Sequence, residues 1–441
     1  MNARRSVAVI GGGWAGCAAA VELARAGQDV TLFEAARTLG GRARRVEHGG
    51  RSLDNGQHIL LGAYRETLRV LKLVGVNVDS AFLRLPLQMC YPPGSGGMGF
   101  RAPRLPAPLH LLLALMRADG LEREDKLALA RFSTTARWMD WRLNIDCTVS
   151  ELLERFDQTA RITQMMWRPL CIAALNTPPE RASAQVFLQV LRDSLGARRA
   201  ASDMLLPRLD LSALFPDQAA AYLRRHRGAV HEGVTVQSVS RTGPAWRIGT
   251  DGRHDAQFDA VVVATQPKAA ARLLAGLDAI DMPVFEYEPI TTGYLQYAPT
   301  LKLGRPFFAL LDNPARAHWG QFVFDRGQLD ASQAGMLAVV VSTSSAAIEL
   351  GHDVLASALA QQLAEALKMP ALAAPVSRQV ISEKRATFAC TPALARPANA
   401  TGLENLVLAG DYTASEYPAT LETAVRSGVE AARLLMAPRN S

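Results

Sequence analysis

Cysteine is scarce in this chain, and its placement suggests no cross-link. The five cysteines among 441 residues are Cys17, Cys90, Cys147, Cys171 and Cys390. None forms C-x-x-C, and an odd count argues against a disulfide framework. Reduced thiols in the cytoplasm are therefore expected. The eight histidines show no metal-ligand spacing, so no metal is expected. Long hydrophobic runs are missing too. The most apolar stretch, Leu105 to Met116, is broken by Pro106 and Pro108 and is too short to span a bilayer. No signal peptide is expected, because the first apolar run is short and enters a glycine turn. There is no dense Lys/Arg block, and a net charge of +7 is mild at this length, so nucleic acid is not indicated. A mildly basic surface suits anionic lipid or a diphosphate-bearing precursor instead. No internal repeat or low-complexity linker stands out.

Hydrophobic residues make up 49% of the chain and charged ones 20%, as in a well-packed globular protein. The length allows roughly two or three domains. The most informative stretch is N-terminal. Ser6-Val7-Ala8-Val9-Ile10 is a short branched apolar run suited to a buried parallel strand. Gly11, Gly13 and Gly16 follow at G-x-G-x-x-G spacing. The first allows the tight turn, the second lets backbone approach a pyrophosphate, and the third lets helix pack on strand. A helix from about Trp14 and Ala15 to Ala26 would aim its N–H groups at that pyrophosphate. Glu34, with Ala35 beside it, ends the next strand roughly 20 residues on, where a carboxylate accepts from ribose hydroxyls. An acid there repels a 2′-phosphate, which disfavours NADP.

Gly40-Gly41-Arg42 comes next. It resembles the GG motif of the flavin-dependent amine oxidase and carotenoid desaturase superfamily. That resemblance implies that FAD is the dinucleotide and that Arg42 binds its phosphates through charge-assisted bonds. At the other end, Leu406-Val407-Leu408-Ala409-Gly410-Asp411 reads as a strand ending in Gly-Asp, followed by a helix from about Thr420 through Leu421 and Ala424. In the superfamily this unit closes over FAD. The aspartate bonds the ribityl or pyrophosphate region, and the helix N-terminus points at the ring. A third piece lies centrally. Gly228-Ala229-Val230 and Val234 to Val239 read as a strand pair, and Phe258 to Thr265 as a further strand. The resemblance puts Val236 by the adenine and Ala264-Thr265 close to the cofactor.

Cofactor motifs at both ends imply an α/β protein with a discontinuous Rossmann-like FAD-binding domain of the flavin amine oxidase/phytoene desaturase type, carrying an inserted α+β substrate domain. The expected division is 1–75, 217–282 and 401–441 for FAD. A mainly helical substrate segment covers 76–216, and a sheet-and-helix segment covers 283–400. Helical periodicity marks Leu121 to Trp141, Ser150 to Phe156 and Ala182 to Leu195, with a strand over Gly335 to Ser342 and a helix over Asp353 to Leu367. Tyr91 to Phe100, rich in proline and glycine, reads as a mobile loop.

Further stretches narrow the family: Asp54-Asn55-Gly56-Gln57-His58-Ile59, Asn176-Thr177-Pro178-Pro179-Glu180, Ala201 to Arg208, and Ser415-Glu416-Tyr417-Pro418-Ala419-Thr420. Over essentially the whole chain the sequence resembles the hydroxysqualene dehydroxylases, squalene-associated FAD enzymes of bacterial hopanoid pathways. The resemblance implies that Gly56, Gln57 and His58 lie beside the flavin, that an allylic C30 alcohol is reduced to squalene, and that a long apolar isoprenoid fills an apolar tunnel. The leaving hydroxyl needs a proton. His58, with a pKa near neutrality, is the first candidate. Glu416 is the second, on the expectation that burial keeps it protonated. Asp203 and Tyr417 complete the set. Backbone hydrogen bonding competes with catalysis for Gln57 and His58, pairing with Arg208 competes for Asp203, and packing for Tyr417.

Two rivals share the fold. A carotenoid- or squalene-type desaturase would run hydride in the opposite direction. Many amine oxidases carry a lysine whose bound water contacts flavin N5. In Pro289-Ile290-Thr291-Thr292-Gly293-Tyr294-Leu295, leucine stands where that lysine is expected. A flavin-binding scaffold without catalysis is a third reading. Only one dinucleotide fingerprint is present, so the electron donor is unidentified. Leu105 to Met116, between Arg104 and Arg117, suits either a peripheral contact at the inner membrane or a core helix.

Overall fold

The computed structural model describes residues 4–251, 256–277 and 282–437. Its centre is a five-stranded parallel sheet in the order Ala229–Glu232, Asp29–Glu34, Ser6–Ile10, Ala260–Val263, Leu406–Leu408. All four pairings are parallel. Ala260–Val263 and Leu406–Leu408 are buried at every position, as their unbroken apolar runs require of strands covered on both faces. The helices Trp14–Arg25, Pro216–Arg225 and Leu421–Met436 share one apolar core with the sheet. The other face packs on a small antiparallel sheet of Val236–Thr242, Ala245–Thr250 and Ala256–Phe258.

A second sheet, antiparallel, runs Phe307–Ala309, Phe322–Asp325, Met336–Ser342, Tyr287–Gln296, Ser377–Phe388. One face lies under helix His352–Leu367, against Leu355, Leu359 and Leu363. The other joins the helices Arg123–Trp138, Arg168–Leu175 and Ala184–Ser194 in an apolar core rich in methionine and aromatic side chains. Between the two bodies, Leu60–Leu61, Met204–Pro207 and Phe82–Leu85 form a three-stranded sheet. Its residues divide, with Leu60, Leu205 and Phe82 in the core of the parallel sheet and Met204 and Leu206 in that of the second sheet.

Two local expectations are corrected. Ala229–Glu232 and Val236–Thr242 do not pair with each other. The first joins the parallel sheet beside Asp29–Glu34, and the second begins the small antiparallel sheet. A turn at Gly233, with φ +70°, redirects the chain between them. Tyr91 to Phe100 is not a free loop. Gln88–Cys90 pairs with Gly99–Arg101, and the tip is anchored where Leu311 N–H donates to the Ser95 hydroxyl. Proline and glycine there shape a hairpin turn.

Candidate active site

The strand Ser6–Ile10 ends in Gly11, whose φ of +106° suits glycine. A Cβ on Gly11 would lie 2.6 Å from the Ala264 carbonyl oxygen, and one on Gly16 would lie 1.9 Å from that of Gly11. Gly13 differs, since a Cβ there meets nothing nearer than the Gly41 Cα at 3.9 Å. It is the N-cap of helix Trp14–Arg25 and supplies no side-chain cap, which leaves the first helical N–H groups available. The GG turn lies directly against this one. Gly40 N–H donates to the Gly12 carbonyl at 2.8 Å, and a Cβ on Gly41 would sit 3.2 Å from the Gly13 Cα. The result is a cradle of bare backbone at a helix N-terminus, which fits the pyrophosphate of FAD. Trp14 turns inward, its indole N–H donating to the Ala43 carbonyl at 2.9 Å, and Ala15 is buried.

Glu34 accepts from Gly12 N–H at 2.7 Å and from Ala36 N–H at 2.8 Å. Each carboxylate oxygen keeps a further lone pair, so the acid can also accept from a diol. Ala35 beside it is exposed, and Val236 is buried. Ala264 N–H donates to the Ile10 carbonyl at 2.7 Å, which brings Thr265 alongside the glycine turn.

Arg42 ties three parts of the chain together. Its Nη2 stands 2.6 Å from both carboxylate oxygens of Asp411, and its Nη1 donates to the Ala386 carbonyl at 2.7 Å. The two residues singled out from opposite ends of the sequence thus form one ion pair beside Gly410. Arg396, which sequence reasoning missed, holds the following loop by donating to the carbonyls of Asp411, Ser415 and Tyr417 at 2.6, 3.1 and 2.6 Å. A lone arginine ahead of a strand carries almost no signal. Thr420 then caps helix Leu421–Met436 by accepting from Thr423 N–H. Leu421 and Ala424 in its first turn pack against the parallel-sheet core.

The turn Asp54 to His58 faces the second sheet. The Tyr294 hydroxyl donates to the Asp54 carbonyl at 2.9 Å, and Gln57 accepts from buried Arg326 at 2.8 Å. Nδ1 of His58 is 2.8 Å from the Gly56 carbonyl. A carbonyl only accepts, so Nδ1 carries the proton and Nε2 is the open nitrogen. Withdrawal from water pushes the His58 pKa below the ordinary imidazole range. This outweighs the opposing Gly56 bond, and the Arg42 charge adds a smaller push in the same downward direction. The expectation of a near-neutral value is corrected accordingly.

The other acid candidates are placed differently. Glu416 is exposed, so the burial expected to keep it protonated is absent. Asp203 is buried and pairs with Arg84 at 3.1 Å and Arg199 at 2.8 Å; these, rather than Arg208, are its partners. The Tyr417 hydroxyl donates to Asp193, and its ring lies under the Arg426 guanidinium at 4.6 Å. Leu295 packs against the helix His352–Leu367. On that strand Thr292, like Tyr294, is directed to the turn. A Cβ on Gly56 would be 3.8 Å from the Thr292 hydroxyl and 3.9 Å from Cε1 of His58. Among the described residues, no group of three or more His, Cys, Asp or Glu side chains is placed to hold a metal ion.

Comparison with known proteins agrees with this geometry. The flavin containing amine oxidoreductase family matches residues 14–436. A hydroxysqualene dehydroxylase from Rhodopseudomonas palustris is 30% identical over 98% of this chain and 99% of its own length. One from Sinorhizobium fredii is 26% identical over 99% and 100%. The crystal structure of an oxidoreductase from Methanosarcina mazei superposes with a TM-score of 0.72 at 14% identity, covering 97% of this chain and 100% of that one. The chain belongs to the flavin containing amine oxidoreductase family, as an FAD-dependent oxidoreductase related to the hydroxysqualene dehydroxylases.

Proposed function

We propose that the protein removes the allylic hydroxyl of hydroxysqualene to give squalene. The observation that carries this reading is the full-length similarity to enzymes of that name. Two features of the chain support it: an apolar core rich in methionine and aromatic residues beside the second sheet, and a small polar group, His58 and Thr292, flanking Gly56.

FAD, when bound, supplies hydride to carbon. The backbone of Gly11, Gly13, Gly40 and Gly41 and the first turn of helix Trp14–Arg25 would hold its phosphates, with Arg42 supplying positive charge. Glu34 would take the ribose hydroxyls. Val236, Ala264 and Thr265 would line the nucleotide side, and Asp411 the ribityl side. Hydroxide is a poor leaving group, so departure needs a proton. His58 is the candidate donor, through Nε2. Its lowered pKa makes the protonated form a stronger acid, at the cost of a smaller protonated fraction at neutral pH. An apolar lining would exclude water that recaptures an allylic cation.

An anaerobic single turnover tests the reading. Reduced enzyme mixed with hydroxysqualene is expected to form squalene as its flavin is oxidised, and deuterium placed on flavin N5 should appear in the product. Flavin that stays reduced with hydroxysqualene overturns the proposal. The His58→Gln variant is expected to slow this step by roughly 10²–10⁴-fold.

We also propose that the protein docks on anionic membrane, the source of a water-insoluble substrate. Helix Leu109–Arg117 supports this. His110 and Ala114 face inward, while Leu109, Leu112 and Met116 are 52%, 53% and 65% exposed. Arg104 and Arg117, both exposed, flank the stripe. Among the described residues no helix is long and apolar enough to cross a membrane.

A further inference from the structure

Thr292 is 1% exposed, and its hydroxyl finds no hydrogen-bond partner among the described residues. Buried hydroxyls are almost always bonded, so one left open beside the turn Asp54 to His58 is informative. Its neighbour provides the contrast. The Thr291 hydroxyl bonds Ser344 at 2.9 Å and Ser382 at 2.8 Å. The pleat of strand Tyr287–Gln296 separates the two. On the face of Thr291, a Cβ on Gly293 would meet Leu359 at 2.6 Å, and Leu295 packs in the same core. On the opposite face, Tyr294 reaches the Asp54 carbonyl, and the Thr292 hydroxyl and the His58 ring each lie within 4 Å of where a Cβ on Gly56 would stand.

We propose that the Thr292 hydroxyl binds the oxygen of the substrate alcohol, and that Thr292 is the residue by which the site tells the alcohol from the hydrocarbon product. This rests on the reaction proposed above. The chemistry of the two side chains is matched to an alcohol. Thr292 offers a hydroxyl that can donate or accept, and His58 offers Nε2. An alcohol oxygen, with two lone pairs and one proton, engages both whichever state His58 is in. Ile290 on the same face and Ile381 on the paired strand pack against the apolar core. A hydrocarbon would leave both groups unbonded. Sites built to bond a hydroxyl reject the analogue that lacks it for this reason.

The test uses the full-length, FAD-loaded enzyme and measures dissociation constants for hydroxysqualene and for squalene. Wild type is expected to favour the alcohol. In Thr292→Val, which keeps the shape and removes the hydroxyl, that preference is expected to shrink about tenfold, the worth of one neutral hydrogen bond. Thr292→Ser is expected to restore it. The flavin absorbance spectrum and reduction potential should not move in either variant. Thr292→Ala serves as a second hydroxyl-free variant should valine impair folding. An unchanged preference in the hydroxyl-free variants overturns the assignment. So does a shifted flavin potential with an unchanged preference, which would put the hydroxyl on the flavin. Wild-type enzyme that prefers the alcohol but does not convert it would instead overturn the reaction and leave the assignment standing.

Discussion

Among single residues, Asp54 gives a prediction with a definite sign. It is buried, and its carboxylate accepts from Leu211 N–H at 2.8 Å. Burial raises its pKa from 3.8 to about 6, against that bond and the Arg326 charge. Between those values the folded state binds a proton that the unfolded state has released, so stability falls as pH rises through the window. Above it the cost is complete, on the order of 3 kcal/mol. A carboxamide at this position would keep an acceptor for Leu211 and carry no charge. Asp54→Asn is therefore expected to be the more stable protein at pH 7.5, with the gap closing towards pH 4, as read by urea denaturation across pH. A gap that persists at pH 4 would remove desolvation as its cause. Legibility at this scale was uneven. Gly11 and Gly16 could be read because their close approaches depend on backbone alone. Glu416 and Asp203 could not, because exposure and ion pairing depend on which distant residues fold next to them.

At the scale of elements, the close approach of the first and last long helices governs the nucleotide body. A Cβ on Gly428 would lie 2.1 Å from the Ala15 carbonyl oxygen, so helix Leu421–Met436 lies on helix Trp14–Arg25 with nothing between them. Glu422 fixes the same helix from another side, accepting from Glu66 N–H at 3.1 Å and from Thr67 N–H at 2.9 Å. On an exposed helix, glycine to alanine would stabilise by up to about 1 kcal/mol. Here Gly428→Ala is expected to do the reverse, costing about 1–3 kcal/mol through overpacking and loosening FAD, as read by melting and by flavin retained after gel filtration. Helices and strands with a strong apolar period were legible. The helix expected over Asp353 to Leu367 forms at His352–Leu367, and the strand expected from Gly335 begins at Met336. The pairing of Val236–Thr242 was not, because a strand's partner is chosen by chain reversal at Gly233 rather than by the strand's own composition.

At the scale of the whole molecule, the exposed stripe on helix Leu109–Arg117 gives the protein one side suited to a lipid surface. Flotation with vesicles containing anionic lipid is expected to carry the wild type up, and less so as salt rises. Leu112→Glu combined with Met116→Glu is expected to abolish flotation without changing the melting temperature, since both side chains already face water. Equal flotation of the variant would remove this face as the contact. The FAD-binding fold followed from motifs at both chain ends, whereas the small sheet of Leu60–Leu61, Met204–Pro207 and Phe82–Leu85 had no sequence signal, its strands being only two to four residues long. The parallel sheet also has a consequence for biosynthesis. Arg5, just before its first strand, donates to Asn405, just before its last, and to the Leu435 carbonyl of the final helix. On a ribosome adding roughly 5–20 residues per second, the parallel sheet begun by the amino-terminal strand stays incomplete for about 20–80 s, until its last strand emerges beside Ala260–Val263. Until then its apolar edge is exposed to chaperones and to neighbouring nascent chains.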